Sequence, residues 1–192
     1  SAEFRVVGQP RPQLEGPAKV TGQAAYTHDL TLPDMLYGVI LRSPHPHARI
    51  KSVDLSKAQA MPGVVAAVSG RDFPDKKYVN AGPAFADRFA MARDRVRFVG
   101  EEVAAVAAET TVQAQAALAA INVEYEILPA AFDVEAALAP GAPVIHEKPD
   151  LPPNVTQRSV ADFGGVEAAF EGAEYVFDAI FEHGIVAPIC LE

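Results

Sequence analysis

The sequence predicts an α/β (α+β) protein with one complete unit and the opening of a second. Three observations predict it. Residues 36–128 alternate strand and helix patterns, about five strands and two helices, enough for a self-contained core. Hydrophobic residues make up 49% and charged residues 21%, the composition of a folded chain and not of a disordered one. Residues 154–192 offer only two strand patterns and one helix, too few for a core of their own. At 192 residues the chain has room for one core of good size, or for one domain and part of another.

The first 35 residues carry turn-formers at Gly8, Pro10, Pro12, Gly16, Pro17, Gly22 and Pro33. They read as an extended arm with one short strand at 24–27. Residues 36–42 (LYGVILR) form the first strong strand, and the SPHPHAR loop follows, its two prolines denying backbone donors. Alternation over 49–54 (RIKSVD) marks a half-buried strand. Residues 55–61 suit a short helix stopped by Pro62 and Gly63, and 64–69 (VVAAVS) another strand. Residues 71–93 read as surface loop. A short strand at 96–99 turns at Gly100–Glu101 into a buried strand at 103–108 (VAAVAA).

Thr110 or Thr111 caps a helix running to about Ala120, with Val112, Ala116 and Ala119 on one face. Strand 122–128 (NVEYEIL) turns Val123, Tyr125 and Ile127 to one side and Glu124 and Glu126 to the other. Residues 132–139 form a short helix. Pro140, Gly141, Pro143, Pro149, Pro152 and Pro153 then mark a linker. Beyond it, strands at 154–162 and 174–182 flank a short helix at 165–172. The apolar ending Ile189–Cys190–Leu191 differs from an ordinary polar terminus and suggests a truncated chain.

The formal charge is −9 and no basic run is interleaved with aromatics, so nucleic acid is not an expected partner. No apolar run approaches the roughly 20 residues of a membrane span, and no signal pattern opens the chain. The one cysteine, Cys190, excludes an internal disulfide framework and suits a reducing, cytoplasmic setting.

Four constellations could carry chemistry. His45 and His47 flank Pro46; a His-x-His pair can bind zinc or copper, but two ligands are not a site and a rigid turn is the better reading. Glu101 and Glu102 could act as acid and base only if held on either side of a substrate; adjacent residues in a turn point apart, which favours a solvated turn. Gly164–Gly165 before a helix suggests phosphate cradling, yet no phosphate-loop pattern accompanies it. Cys190 with His183 could form a nucleophile pair of a small hydrolase, against the commoner buried inert thiol.

Four segments in order resemble the large subunit of the molybdenum hydroxylases, the family of xanthine dehydrogenases, aldehyde oxidases and carbon monoxide dehydrogenases. They are EGPAKVTGQAAYTHDL (15–30), LYGVILRSPHPHARIKSVD (36–54), RVRFVGEEVAAVAAET (95–110) running into VEYEILPAAFD (123–133), and GAPVIHE (141–147) leading through Asn154 to an Ile-Cys-Leu-Glu ending. The resemblance implies an N-terminal arm (1–14) and an α/β hammerhead domain with a mixed sheet (15–139). A Pro-rich linker (140–153) and the beginning of the molybdopterin-binding domain (154–192) would follow.

It further implies a holoenzyme that inserts oxygen from water into a C–H bond of an aldehyde or N-heterocycle. Its molybdopterin lies in the complete subunit and its [2Fe–2S] clusters and FAD on partner subunits or domains, in a dimer of heterotrimers. The catalytic glutamate and pterin loops of the family lie downstream, so no catalytic, cofactor-binding or metal-ligating residue is assigned here. This chain would brace the cofactor domain and contact partner subunits. A stand-alone scaffold with the same fold is the alternative. Two positions depart from the family. Glu101–Glu102 stands where Glu-Pro is frequent, and Pro188 where histidine is common.

Overall fold

The computed structural model describes residues 6–79, 86–148 and 150–184. They fall into two compact units, one formed by Asp34–Val166 and the other by Ser1–Pro33 with Glu167–Glu192.

The Asp34–Val166 unit contains two three-stranded sheets and a small hairpin. The first sheet has the order β1-β7-β3, with β1 at Tyr37–Arg42, β7 at Glu102–Ala108 and β3 at Val64–Ser69. The second has the order β6-β2-β8, with β6 at Arg95–Val96, β2 at Ala48–Asp54 and β8 at Asn122–Ile127. The hairpin joins β4 (Tyr78–Val79) to β5 (Ala86–Arg88) within the stretch expected to be loop. Every pairing among the described residues is antiparallel, where a mixed sheet was expected.

The pattern of small residues explains the core. β7 is almost wholly Ala and Val and is buried at Val103, Ala104, Val106 and Ala108. It lies between β1 and β3, pairing Val39 with Val106 on one side and Ala67 with Val106 on the other. Side chains this small let helix α3 (Thr111–Ala120) and helix α2 (Ser56–Gln59) close on the sheet, and Ala58, Ala67, Val106 and Ala117 form one core cluster. A second cluster joins Ala48, Ile50, Ala92, Val96 and Val103, with Val53, Val123 and Tyr125 packed against it. On β8 the outward Glu126 pairs with Arg49 at 3.2 Å, as alternation predicts. Ile127, expected to face inward with Tyr125, is 68% exposed at the strand end.

Thr110 caps α3, its Oγ1 accepting from the Gln113 amide at 3.2 Å. The buried face differs from the expected one. Ala114 and Ala117 are buried, while Val112 is 78% exposed and Ala116 and Ala119 are exposed. The helix is apolar nearly all round (TVQAQAALAA), so periodicity could not choose a face; close approach to the sheet selected the alanines. β6 is also shorter than the expected 96–99 strand. The chain turns at Phe98, where the Glu101 amide donates to the Phe98 carbonyl at 3.3 Å, and Gly100 takes φ +94°.

After β8, helix α4 (Val134–Leu138) is capped by Asp133, whose Oδ1 accepts from the Ala136 amide. Residues 154–162, expected to be a strand, form none; Val160 is 77% exposed, with no neighbouring ladder among the described residues to take up its backbone groups.

In the other unit, helix α1 (Gly16–Val20) begins with Pro17 near its N-terminus and carries a Glu15–Lys19 ion pair at 2.9 Å. The strand expected at 24–27 is replaced by a 3-10 turn over Thr27–Asp29, because the Asp29 carboxylate accepts from the Tyr26 amide at 3.0 Å and closes the backbone locally. Helix α5 (Val166–Glu171) straddles the division between the units. Residues 174–182 form no strand either, and Phe177 and Phe181 are over 90% exposed. A strand exists only with a partner strand, and the described residues supply none.

Candidate functional site

The strongest concentration of buried polar groups lies where the SPHPHAR loop meets the turn between β6 and β7. Ser43, His47 and Glu101 are all buried there. The two segments are stitched by backbone, the Ser43 amide donating to the Glu101 carbonyl and the Gly100 amide to the Ser43 carbonyl, both at 2.8 Å. Ser43 Oγ accepts from the His45 amide at 3.0 Å and donates to the His45 carbonyl, a rigid turn of the kind the prolines predicted. His45 packs edge-on against the Tyr125 ring, 5.0 Å between centroids. Burial pushes the Tyr125 hydroxyl above its ordinary range, against a hydrogen bond to Ser43.

His47 and His45 sit in different surroundings. His47 Nδ1 lies 2.6 Å from the Pro129 carbonyl. A carbonyl only accepts, so Nδ1 carries the proton. Nε2 is buried and without a partner among the described residues. No group of three or more His, Cys, Asp or Glu side chains among the described residues could hold a metal ion.

The glutamate pair is not the solvated turn that the sequence suggested. Glu101 is 7% exposed, and its carboxylate accepts from the Arg97 amide. Burial raises its pKa, outweighing that hydrogen bond and the charges of Arg97 and Arg88. Glu102 has the opposite character. Burial pushes it up, but its own backbone amide and the guanidinium groups of Arg42 and Arg88 prevail and hold it below the usual range. Arg42 Nη1 donates to Oε1 at 2.6 Å and Arg88 Nη2 to Oε2 at 3.0 Å. Arg88 also stacks over Phe98, 4.8 Å from its centroid. Opposed shifts in two carboxyls can mark an acid and base pair. Here Glu101 is closed off from solvent and Glu102 is clamped from both sides, so the geometry fits a structural junction.

Gly164 and Gly165 both adopt positive φ before α5, whose six residues make too short a helix for an anion site. His183 is exposed, with Nδ1 beside the next carbonyl. Cys190 lies outside the described residues.

Sequence reasoning passed over Asn154 as a functional side chain. It holds φ +64° and uses its whole amide. Oδ1 accepts from the Ile145 and His146 amides at 2.8 and 3.2 Å, and Nδ2 donates to the Ala137 and Pro143 carbonyls, both at 2.9 Å. An isolated Asn among prolines in a loop was the available signal.

A family model of the aldehyde oxidase and xanthine dehydrogenase a/b hammerhead domain matches residues 21–129. The chain belongs to the aldehyde oxidase and xanthine dehydrogenase hammerhead family. The junction of Ser43, His47 and Glu101 lies inside the hammerhead. A protein of Bacillus subtilis named as a probable xanthine dehydrogenase component is 41% identical over 178 residues, which are 92% of this chain and 23% of that protein. The nicotinate dehydrogenase large molybdopterin subunit of Eubacterium barkeri is 38% identical over 176 residues, 92% of this chain and 40% of that one.

Among solved structures, quinoline 2-oxidoreductase from Pseudomonas putida 86 superposes with a TM-score of 0.69 at 35% identity, over 82% of this chain and 20% of its own. The Cu,Mo-CO dehydrogenase gives a TM-score of 0.70 at 33% identity, over 88% and 23%. The chain thus spans less than half the length of each of these relatives. No described helix is long and apolar enough to cross a membrane.

Proposed function

We propose that the chain is the front portion of the large subunit of a molybdenum-dependent hydroxylase, and that its own role is structural. One observation carries this reading: 92% of the chain aligns at 38% identity with a protein named as a large molybdopterin subunit, of which it makes up 40%. Residues 15–139 are the hammerhead, 140–153 the linker, and 154–192 the first part of the molybdopterin-binding domain. The exposed aromatic residues at 170–181 support that division, because an alternating apolar segment without a partner strand needs a sheet from elsewhere.

The complete enzyme is cytoplasmic and hydroxylates an aldehyde or N-heterocycle with oxygen from water. Molybdopterin would be bound by the complete subunit, and its molybdenum would supply the two-electron acceptor for that oxidation. [2Fe–2S] clusters and FAD sit on partner subunits or domains, in a dimer of heterotrimers. The described residues assemble no ligand set for a metal, so no step of the reaction is derived from them. The hammerhead braces the cofactor domain and offers surface to the partner subunits.

Metal and pterin analysis of the full-length gene product tests this. Molybdenum and a pterin should accompany activity; active protein free of molybdenum overturns it. The second reading, a stand-alone scaffold on the same fold, draws on the completeness of the hammerhead core, which needs no residue beyond 166 to form its clusters. Iron–sulfur and flavin subunits co-purifying with the gene product separate the two.

A further inference from the structure

A proline-rich stretch between two domains is commonly a place where they move against each other. Residues 140–153 have that composition, but their hydrogen bonding is of another kind. Asn154 reaches back into the stretch and closes it on itself: its side chain binds the Ile145 and His146 amides and the Pro143 carbonyl, and its backbone amide donates to the His146 carbonyl at 2.9 Å. The same side chain donates to the Ala137 carbonyl, which anchors the stretch to α4. From the opposite side Arg97 Nε donates to the Ile145 carbonyl at 3.1 Å, tying the stretch to the turn between β6 and β7. Lys148 Nζ reaches the Thr156 carbonyl at 3.3 Å, just beyond the lock.

These bonds use all four hydrogen-bonding positions of one primary amide, in a residue half-buried and held at φ +64°. Few side chains meet both demands. Aspartate accepts but cannot donate. Glycine takes the backbone angle without strain but offers no side chain. Glutamine has the amide, but its extra methylene moves it and it is less suited to positive φ.

We propose that Asn154 locks the described residues of 140–153 into a rigid strap, so that the chain runs on from the hammerhead in one fixed direction through residue 157. The consequence for the enzyme rests on the function proposed above. A hammerhead held by such a strap is a fixed brace for whatever follows it, and does not swing as a lid. Asn154 is in this sense a positioning residue, acting through the strap and not on any substrate.

The test uses this chain with two spin labels inside the Asp34–Val166 unit, on Lys57→Cys in α2 and Gln157→Cys at the end of the fixed stretch, in a Cys190→Ser background. Pulsed EPR should give one narrow distance distribution. Asn154→Gly, which keeps the backbone angle and removes the amide, should broaden it. Asn154→Asp, which keeps the two acceptor bonds and loses both donors, should broaden it less. Hydrogen exchange supplies the second readout. The Ile145 and His146 amides should be protected in the parent and exchange at least about tenfold faster in Asn154→Gly, while the β7 amides keep their protection.

A broad distribution in the parent overturns the proposal. So does rapid exchange of the Ile145 and His146 amides in the parent, a measurement that stands even if both variants fail to fold. Unchanged distance and exchange in a folded Asn154→Gly also overturns it. No readout here involves molybdenum, so this outcome and that of the functional reading are independent.

Discussion

Glu101 and Glu102 are adjacent in the chain, yet one carboxyl is buried against the Arg97 amide and the other is clamped between Arg42 and Arg88. β7 begins at Glu102, one residue after the turn that holds Glu101, so the two carboxyls meet different neighbours. Their ionisation affects the fold with opposite signs, and that difference can be measured.

Glu101→Gln should stabilise the protein at neutral pH. Burial raises the folded-state pKa of Glu101 above its unfolded value. The stability linked to this group is therefore fully present below about pH 4.5, the ordinary carboxylate value, and is lost as pH rises through the folded pKa. Glutamine keeps an oxygen for the Arg97 amide and carries no charge. Urea unfolding at pH 7 should show the variant more stable, by on the order of 1 kcal/mol. The gap should close as pH falls to 4. A variant less stable than the parent at pH 7 would show that the charges of Arg97 and Arg88 outweigh burial.

Glu102→Gln should do the reverse. The pKa of Glu102 is lowered, so its stabilisation is present above the unfolded pKa and is lost as pH falls through the folded one. Arg42 is half exposed and screened by water, so the loss at neutral pH should be modest, about 1 kcal/mol. A double-mutant cycle with Arg88→Met separates the two arginines. A coupling near zero would mean that the hairpin carrying Arg88 is held by other contacts.

Much of this fold was legible because strands announce themselves locally. β1, β2, β3, β7 and β8 follow apolar runs or alternation, and Thr110 sits where a helix cap belongs. The family was legible from four segments in order. What could not be read depended on contacts distant in sequence. Glu101 is buried because Ser43, 58 residues earlier, brings its loop over the turn. Asn154 matters through partners 8 to 17 residues away. Residues 174–182 carry a strand pattern without the strand, since alternation specifies a face and not the neighbour that must cover it. The buried face of α3 was lost for a simpler reason: five of its ten residues are alanine, and alanine marks no face.

That helix offers a direct comparison. Ala117 is fully buried against Ala58, Ala67 and Val106, and Ala116 beside it in sequence is exposed. Ala117→Leu should overpack the cluster and cost about 1–3 kcal/mol, while Ala116→Leu should stay within about 0.5 kcal/mol of the parent. Equal effects in thermal or urea unfolding would put the helix in a different rotation about its axis.

Gly70 provides the last test, because its constraint comes from contact and not from backbone angle. It opens the 3-10 turn Gly70–Asp72 after β3 and is buried. A Cβ built on it would collide with the Ala92 carbonyl oxygen and lie 2.9 Å from that of Met91, both backbone atoms that no rotamer change can move. The Ala92 amide is meanwhile held by the Glu102 carbonyl at 2.7 Å, at the start of β7. Gly70→Ala must therefore displace either the β3 end or the 91–92 segment, with a cost of about 1–3 kcal/mol or more. The displacement should reach the neighbouring cluster, where Ala92 packs with Val96 and Val103. Urea unfolding should show the loss, and NMR shift changes should concentrate at 91–103 and leave α3 little altered. A Gly70→Ala protein as stable as the parent would mean that the 91–92 segment yields without cost, and the close approach of these two chains would then have no role in fixing the glycine.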